Sequence, residues 1–223
     1  MLFNCDGIIF NVMGVHINSV PVVKYLGLYV DKNLFWKFHV DKVLVKCSQV
    51  IGVVKKILPA IPSFLYKTLY NSLLRSTFSY LLLYWFGNDR SGRWKLIKMV
   101  NCFLEKLANL SHMSLRDFVY KYNILDVAST YKLQCLMFAY SLVHDPYFEP
   151  NIQLIFNNSV HGYSTRISCN IHQTTVSSID MHNFVYSSIK EWNTCKSEIK
   201  NLPYKMFILA AKKHLMEIQI NGY

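Results

Sequence analysis

The chain has 223 residues, of which 52% are hydrophobic and 17% are charged, and it contains 15 Tyr and 14 Phe. This composition excludes a disordered chain and is typical of one ordinary globular domain, or of two small domains that share a core. The formal net charge of +11 favours a polyanionic partner such as nucleic acid, although an acidic protein or an anionic membrane surface would satisfy the same charge balance.

The positive charge is concentrated in the first half of the chain. Residues 1–112 contain 14 Lys and Arg against 5 Asp and Glu, whereas residues 113–223 contain 10 against 8. The longest nearly uncharged apolar run, 78–87, is shorter than the roughly 20 residues of a transmembrane helix, and residues 1–14 lack the basic residues of a secretory signal. We therefore expect an intracellular protein, nuclear or cytoplasmic, without a membrane partner.

The N-terminal residues have the pattern of β-strands. Residues 8–31 alternate loosely between apolar and polar and favour β-branched and aromatic side chains, which predicts a hairpin or a pair of short strands. Gly27 interrupts the second strand-like stretch, and its missing side chain would let another backbone or a ligand come close.

After Asn33 the apolar residues follow the period of a helix. They recur at three- and four-residue spacing at Val40, Val43, Leu44, Cys47, Val50, Ile51, Val54 and Leu58. Most lysines of this stretch fall outside that stripe. The pattern predicts a long helix that ends near Pro59.

Further helices are predicted beyond Pro62, whose missing N–H costs nothing in a first helical turn. The helix that begins there should bury Leu65, Leu69 and Leu73 and continue to Trp85. A third helix should follow the loop 87–92 and bury Leu96, Met99, Val100, Phe103, Leu104 and Leu107. Other helices are expected at 114–122, 128–143, 181–192 and 205–218, with an irregular linker near 146–178. The predicted fold class is therefore α+β and predominantly α, with a short N-terminal β-hairpin followed by helices.

The sequence contains no enzyme motif that we can assign. It has no Gly-rich phosphate loop, no nucleophile elbow and no helix with paired histidines. Two-metal phosphoryl transfer needs at least two convergent carboxylates, and the chain has no Asp-Asp pair. We interpret His39, His144 and His214 as solvent-facing or hydrogen-bonded side chains rather than as ligands. No catalytic residue and no metal ligand is therefore named.

A series of short motifs follows one order along most of the chain. The run 23–27, VKYLG in one-letter code, precedes Asp31, Leu34, Trp36 and His39. After them come Gly52 with Lys55-Lys56, Leu69-Tyr70 with Ser72-Leu73, Tyr80 with Trp85 and Gly87, then Tyr163 with Thr165-Arg166, Trp192-Asn193 and Phe207. In order and spacing they resemble the C-terminal portion, from the end of the palm through the thumb, of a LINE-type, jockey-like non-LTR retrotransposon reverse transcriptase.

The resemblance implies a role for each part of the chain. Residues 1–31 would be a palm remnant with a hairpin like the primer grip, 32–110 a helical thumb, and 111–223 a C-terminal helical region. Through the VKYLG motif it implies nucleic-acid contacts by Lys24, Tyr25 and Gly27. The helix prediction adds phosphate contacts by Lys37, Lys42, Lys46, Lys55 and Lys56. The expected partner is an RNA/DNA hybrid or RNA.

The sequence also departs from that family. The Tyr/Phe-x-Asp-Asp motif, the fingers and the endonuclease are absent, so we expect no cofactor in this chain, because Mg²⁺ would belong to the missing palm motif. Leu83 stands where a glycine usually occurs, and Phe86 stands where a tryptophan is expected before Gly87. We therefore expect a truncated RNA-directed DNA polymerase that shows no nucleotide incorporation in primer extension.

Two alternatives stay open. One is a helical protein-interaction module in which Tyr84, Trp85 and Phe86 form the anchoring patch. The other is a non-functional transposon remnant.

Overall fold

The computed structural model describes residues 20–87, 89–145, 147–148, 170–171 and 184–222, together with the backbone of two strands at 9–12 and 15–18. Antiparallel hairpins at the N-terminus precede a body of helices, which confirms the predicted α+β, predominantly α class. The predicted linker near 146–178 lies almost wholly outside the described residues, as do Tyr163 and Thr165-Arg166.

Two consecutive hairpins form the β-part. Strand β1 (Ile9–Val12) pairs with β2 (Val15–Asn18), and β3 (Val22–Tyr25) pairs with β4 (Leu28–Asp31), both antiparallel. The turn of the second hairpin is Leu26-Gly27, with φ of 45° and 85°. Positive φ at both positions is the type I′ geometry that fits the twist of two-residue hairpins. A Cβ on Gly27 would meet Tyr80 Cε1 at 3.5 Å, an ordinary contact, so backbone conformation rather than close approach explains this glycine.

Helix α1 (Lys37–Ile57) buries the stripe that the sequence predicts. Its buried residues include Val40, Val43, Cys47, Ile51 and Val54. The helix passes into a 3₁₀ turn, Leu58–Ala60, at the expected proline, because Pro59 has no N–H to donate to a further α-helical bond. The predicted end of this helix is confirmed.

The next helical segment, α2, buries a different stripe from the predicted one. After a 3₁₀ turn, Ser63–Leu65, it runs through Tyr66–Leu69, a π-helical turn at Tyr70–Arg75, and Ser76–Ser79. Its buried residues are Tyr66, Tyr70, Leu74 and Phe78, whereas Leu65 and Leu73 are exposed. Four-residue steps rotate by about 40° in an α-helix, and the wider π turn compensates for this drift, so the aromatic stripe stays on one face.

The predicted continuation of α2 to Trp85 is wrong. The helix breaks at Tyr80, which is extended, and Leu81, which has a φ of 48°, before the short helix α3 (Leu82–Trp85). Gln134 bridges the break: its Oε1 accepts from the Leu83 N–H at 3.1 Å and its Nε2 donates to the Ser79 carbonyl at 2.9 Å. One side chain thus satisfies two backbone groups that an intact helix would have paired.

The remaining helices follow the predicted order. They are α4 (Arg90–Leu110), α5 (Leu115–Tyr122), α6 (Val127–His144), α7 (Phe184–Thr194), α8 (Ser197–Lys200) and α9 (Tyr204–Asn221). Side chains at the N-caps of α4, α5 and α6, namely Asp89, Ser114 and Asp126, accept hydrogen bonds from the first turns. None of the described helices is long and apolar enough to cross a membrane.

Two main hydrophobic clusters form the core. The first joins Leu28 of β4 to the buried faces of α1, α2 and α4, and the second joins α5 and α6 to α7, α8 and α9. Helix α5 contributes Phe118 to the first cluster and Val119 to the second. Trp85 is buried, and Trp36 is partly buried and packs against the same cluster.

Candidate nucleic-acid interface

An open cleft of about 380 Å³ lies between the β3–β4 hairpin, the first half of α1 and the end of α2. Three of the residues that the sequence analysis assigned to nucleic acid line it: Gly27, Lys42 and Lys46. The opposite wall carries the side chains of Ser76, Thr77 and Tyr80. The cleft therefore joins the predicted primer-grip hairpin to the predicted thumb helices.

A hydrogen bond fixes the hairpin turn against α2. The Tyr80 hydroxyl donates to the Leu26 carbonyl at 2.7 Å, across 54 positions of sequence. The same tyrosine ring is the nearest neighbour of Gly27, and its backbone carbonyl accepts from Trp85 Nε1 at 3.1 Å. Tyr80 thus holds one edge of the cleft at a fixed distance from the turn.

The α1 lysines do not form a single row. With 100° of rotation per residue, Lys42, Lys46 and Lys56 lie within about 80° of one another on the helix surface, whereas Lys37 and Lys55 lie about 140° from Lys42. Along the axis, Lys56 is about 15 Å beyond Lys46. All of these lysines are exposed, but only Lys42 and Lys46 line the cleft.

Lys24 and Tyr25 lie on opposite faces of the hairpin. Cross-strand partners share a face, and Lys24 pairs with Tyr29, whereas Tyr25 pairs with Leu28. Tyr29 lines the cleft, and Lys24 Nζ lies 5.8 Å from the Tyr29 ring centroid. The hairpin therefore directs Lys24 toward the cleft side and leaves Tyr25 exposed on the other side.

His39 forms the buried end of the cleft. Its Nδ1 accepts from the Tyr29 N–H at 3.4 Å, and its ring packs edge-to-face against Trp85 at 5.4 Å between centroids. Burial, with a smaller contribution from the charge of Lys46, lowers the pKa of His39 from 6.5 to about 4. The side chain is therefore neutral at physiological pH, and the positive charge of the cleft comes from its lysines.

Tyr29 lines the cleft and Phe38 lies beside Tyr29 and Lys42, and neither was predicted from the sequence. Their rings meet edge-to-face at 5.2 Å, and Lys42 Nζ lies 5.1 Å from the Phe38 centroid. Two features of the sequence point to Tyr29 and Phe38. Strand alternation places Tyr29 on the same face as Lys24, and four-residue helical spacing places Phe38 beside Lys42.

The anchoring patch suggested for a protein-interaction module is wrong, because Trp85 and Phe86 are buried and only Tyr84 of the three residues is exposed. Gly52 faces open space, since an added Cβ would have no neighbour within 4 Å. Within the described part of the chain, no group of three His, Cys, Asp or Glu side chains has the arrangement of a metal site.

Comparison of the chain with protein-family models, with curated proteins and with solved structures gives no match.

Proposed function

We propose that this chain provides the primer-supporting hairpin and thumb of a LINE-type RNA-directed DNA polymerase, and that its cleft binds the sugar-phosphate backbone of an RNA/DNA hybrid or RNA. The observation that supports the proposal is that residues of separate sequence motifs lie together at the cleft. The VKYLG turn and His39 belong to one motif and Tyr80 belongs to another, and all three line the same cleft.

The contacts between these motifs are specific. Trp36 and Trp85 both pack against the His39 ring, with centroid distances of 6.3 Å and 5.4 Å. Near the C-terminus, Trp192 and Phe207 of two further motifs meet at 6.0 Å. Residues that are scattered in sequence but converge in space support a common origin better than short motifs do alone.

The charge of the cleft supports a phosphate partner. Lys24, Lys42 and Lys46 lie on its side of the hairpin and of α1, and an extended polyanion that follows α1 would also reach Lys56. Asp41 is the acidic residue nearest to them in sequence, about 100° around the helix from Lys42. If three lysines engage phosphates, the log–log dependence of the binding constant on salt should have a slope of roughly −3 on duplex.

A matched pair of double variants tests the proposal. Lys42→Ala with Lys46→Ala removes two charges from the cleft, and Lys37→Ala with Lys55→Ala removes two charges from the other flank of the same helix. The first should weaken binding to a labelled RNA/DNA hybrid, measured by fluorescence anisotropy, and reduce the salt slope by about 2. The second should leave both quantities close to those of the parent protein.

Three outcomes would contradict the proposal. Equal losses from the two double variants would mean that net charge, not the cleft, determines binding. A salt slope near zero would exclude phosphate contacts. Saturable binding to an acidic protein that nucleic acid does not displace would favour an interaction module instead.

A further inference from the structure

Two aromatic rings, one half-buried and one exposed, lie between two exposed lysines on the hairpin and the start of α1. In spatial order they are Lys24, Tyr29, Phe38 and Lys42, with 5.8 Å, 5.2 Å and 5.1 Å between successive groups. We call these four residues the stacking surface. Phe38 remains 42% exposed, although it begins a helix with a well-developed buried face elsewhere.

The exposed part of the Phe38 ring forgoes the hydrophobic stabilisation that burial would provide. Phe38 and Lys42 are separated by one helical turn, and the pairing of Tyr29 with Lys24 is set by the strand register. Both cation–ring pairs are therefore built into secondary structure and do not depend on a loop conformation.

A lysine beside an exposed ring matches the chemistry of a nucleotide. The ring offers a flat apolar surface on which a base of any sequence can stack, and the ammonium group is available to the adjacent phosphate. A regular duplex keeps its interior bases stacked on each other, so unpaired nucleotides and strand ends are where a base face is free to contact a protein.

We infer that the stacking surface binds an unpaired nucleotide, so that the cleft takes a single-stranded segment or a strand end rather than duplex alone. This inference rests on the proposed function, since it specifies which form of nucleic acid the cleft accepts. The base stacks on Phe38, the more exposed of the two rings, and Lys24 and Lys42 bind the phosphates on either side.

The test compares a labelled single strand with the same strand in which the bases opposite the surface are replaced by abasic sites. Phe38→Ala should weaken binding of the base-containing strand about tenfold and should leave the abasic strand unchanged. Phe38→Tyr keeps a ring of the same width and should restore the affinity. Phe64→Ala is the matched control, because Phe64 is 70% exposed but belongs to neither the cleft nor the stacking surface.

The remaining outcomes separate this inference from the proposed function. Equal loss on base-containing and abasic strands would mean that Phe38 only orients Lys42, and would overturn the inference. No loss with Phe38→Ala, while Lys42→Ala with Lys46→Ala still weakens binding, would overturn stacking and keep the phosphate cleft. If Phe38→Ala weakened a blunt duplex as much as the single strand, the preference for unpaired nucleotides would be wrong. Absence of binding to every nucleic acid would refute both.

Discussion

The stability of this protein should fall steeply as the pH drops below 6.5, because of one buried histidine. His39 is only 5% exposed and lies among the rings of Trp36, Trp85 and Tyr29. Its Nδ1 already accepts from the Tyr29 N–H, so protonation of that nitrogen would place two hydrogens against each other. Burial is the main reason for its low pKa, and the positive charge of Lys46 adds to it.

The sign and size follow from the two pKa values of His39. The unfolded chain binds a proton near pH 6.5, whereas the folded protein binds it only near pH 4. Unfolding therefore takes up a proton between these values, and the free energy of unfolding falls as the pH is lowered from 6.5 toward 4. Over the whole interval the loss is about 3 kcal/mol. Above pH 6.5 this contribution to stability is fully present.

Urea unfolding followed by tryptophan fluorescence at a series of pH values measures the effect. Two variants should both flatten the profile between pH 6.5 and 4: His39→Asn keeps an acceptor for Tyr29, and His39→Phe keeps the ring. His214, whose pKa is also lowered mainly by burial, is unchanged in both variants, so the difference from the parent isolates His39.

The control is His112→Asn. His112 is exposed and has a φ of 51°, a conformation that asparagine tolerates, and this variant should retain the pH dependence of the parent. The quantity to compare is the slope of the free energy of unfolding against pH, because the His39 variants also change packing and therefore the absolute stability. Identical slopes for the parent and both His39 variants would refute the reasoning.

Three further substitutions test the backbone features, each by urea unfolding at neutral pH. Gly52→Ala should stabilise the protein by about 0.5–1 kcal/mol, because Gly52 is exposed in the middle of α1 with open space around it; destabilisation would show that the site does not tolerate a side chain. Leu26→Asn should stabilise by about 1 kcal/mol, since asparagine adopts the left-handed conformation more readily and Leu26 packs little; no gain would contradict the type I′ turn. Gln134→Ala should lower the free energy of unfolding by about 2–3 kcal/mol, because the Leu83 N–H and the Ser79 carbonyl lose their hydrogen-bond partner. An unchanged free energy of unfolding would mean that water replaces the amide.

The sequence predicted those helices whose burial follows the α-helical period. In α1, Val40, Val43 and Cys47 are spaced so that only one face can be apolar, and the structure buries that face. In α2 the same reasoning selected Leu65 and Leu73, because leucine is the commoner core residue. The side chains that are buried instead are Tyr66, Tyr70, Leu74 and Phe78. The π turn that makes this possible depends on tertiary contacts, such as the hydrogen bond from the Tyr70 hydroxyl to the Leu125 carbonyl, which no local pattern encodes.

The candidate site was predictable only in part, for a related reason. Helical geometry places Lys42 and Lys46 on one flank of α1 and Lys37 and Lys55 on another. This division was predictable from the spacing of the lysines relative to the buried stripe. By contrast, the cleft itself depends on Tyr80, which reaches the Leu26 carbonyl only because the helix breaks at Leu81. The position of that break is set by Gln134, more than 50 residues further along the chain.

Positive φ at non-glycine residues occurs at three positions beside the cleft, and also at Leu34, His112 and Asn123. Leu26, Trp36 and Leu81 are non-glycine residues with positive φ, a conformation that costs an ordinary L-residue about 1–2 kcal/mol. Leu26 forms the hairpin turn, Trp36 precedes α1 and packs edge-to-face against His39, and Leu81 follows Tyr80, which lines the cleft. The surrounding fold holds Leu26, Trp36 and Leu81 in a conformation that these residues do not prefer. Relief of strain in Leu26→Asn should therefore be compared with nucleic-acid affinity in the same variant, because Leu26 forms the hairpin turn that Tyr80 contacts at the edge of the cleft.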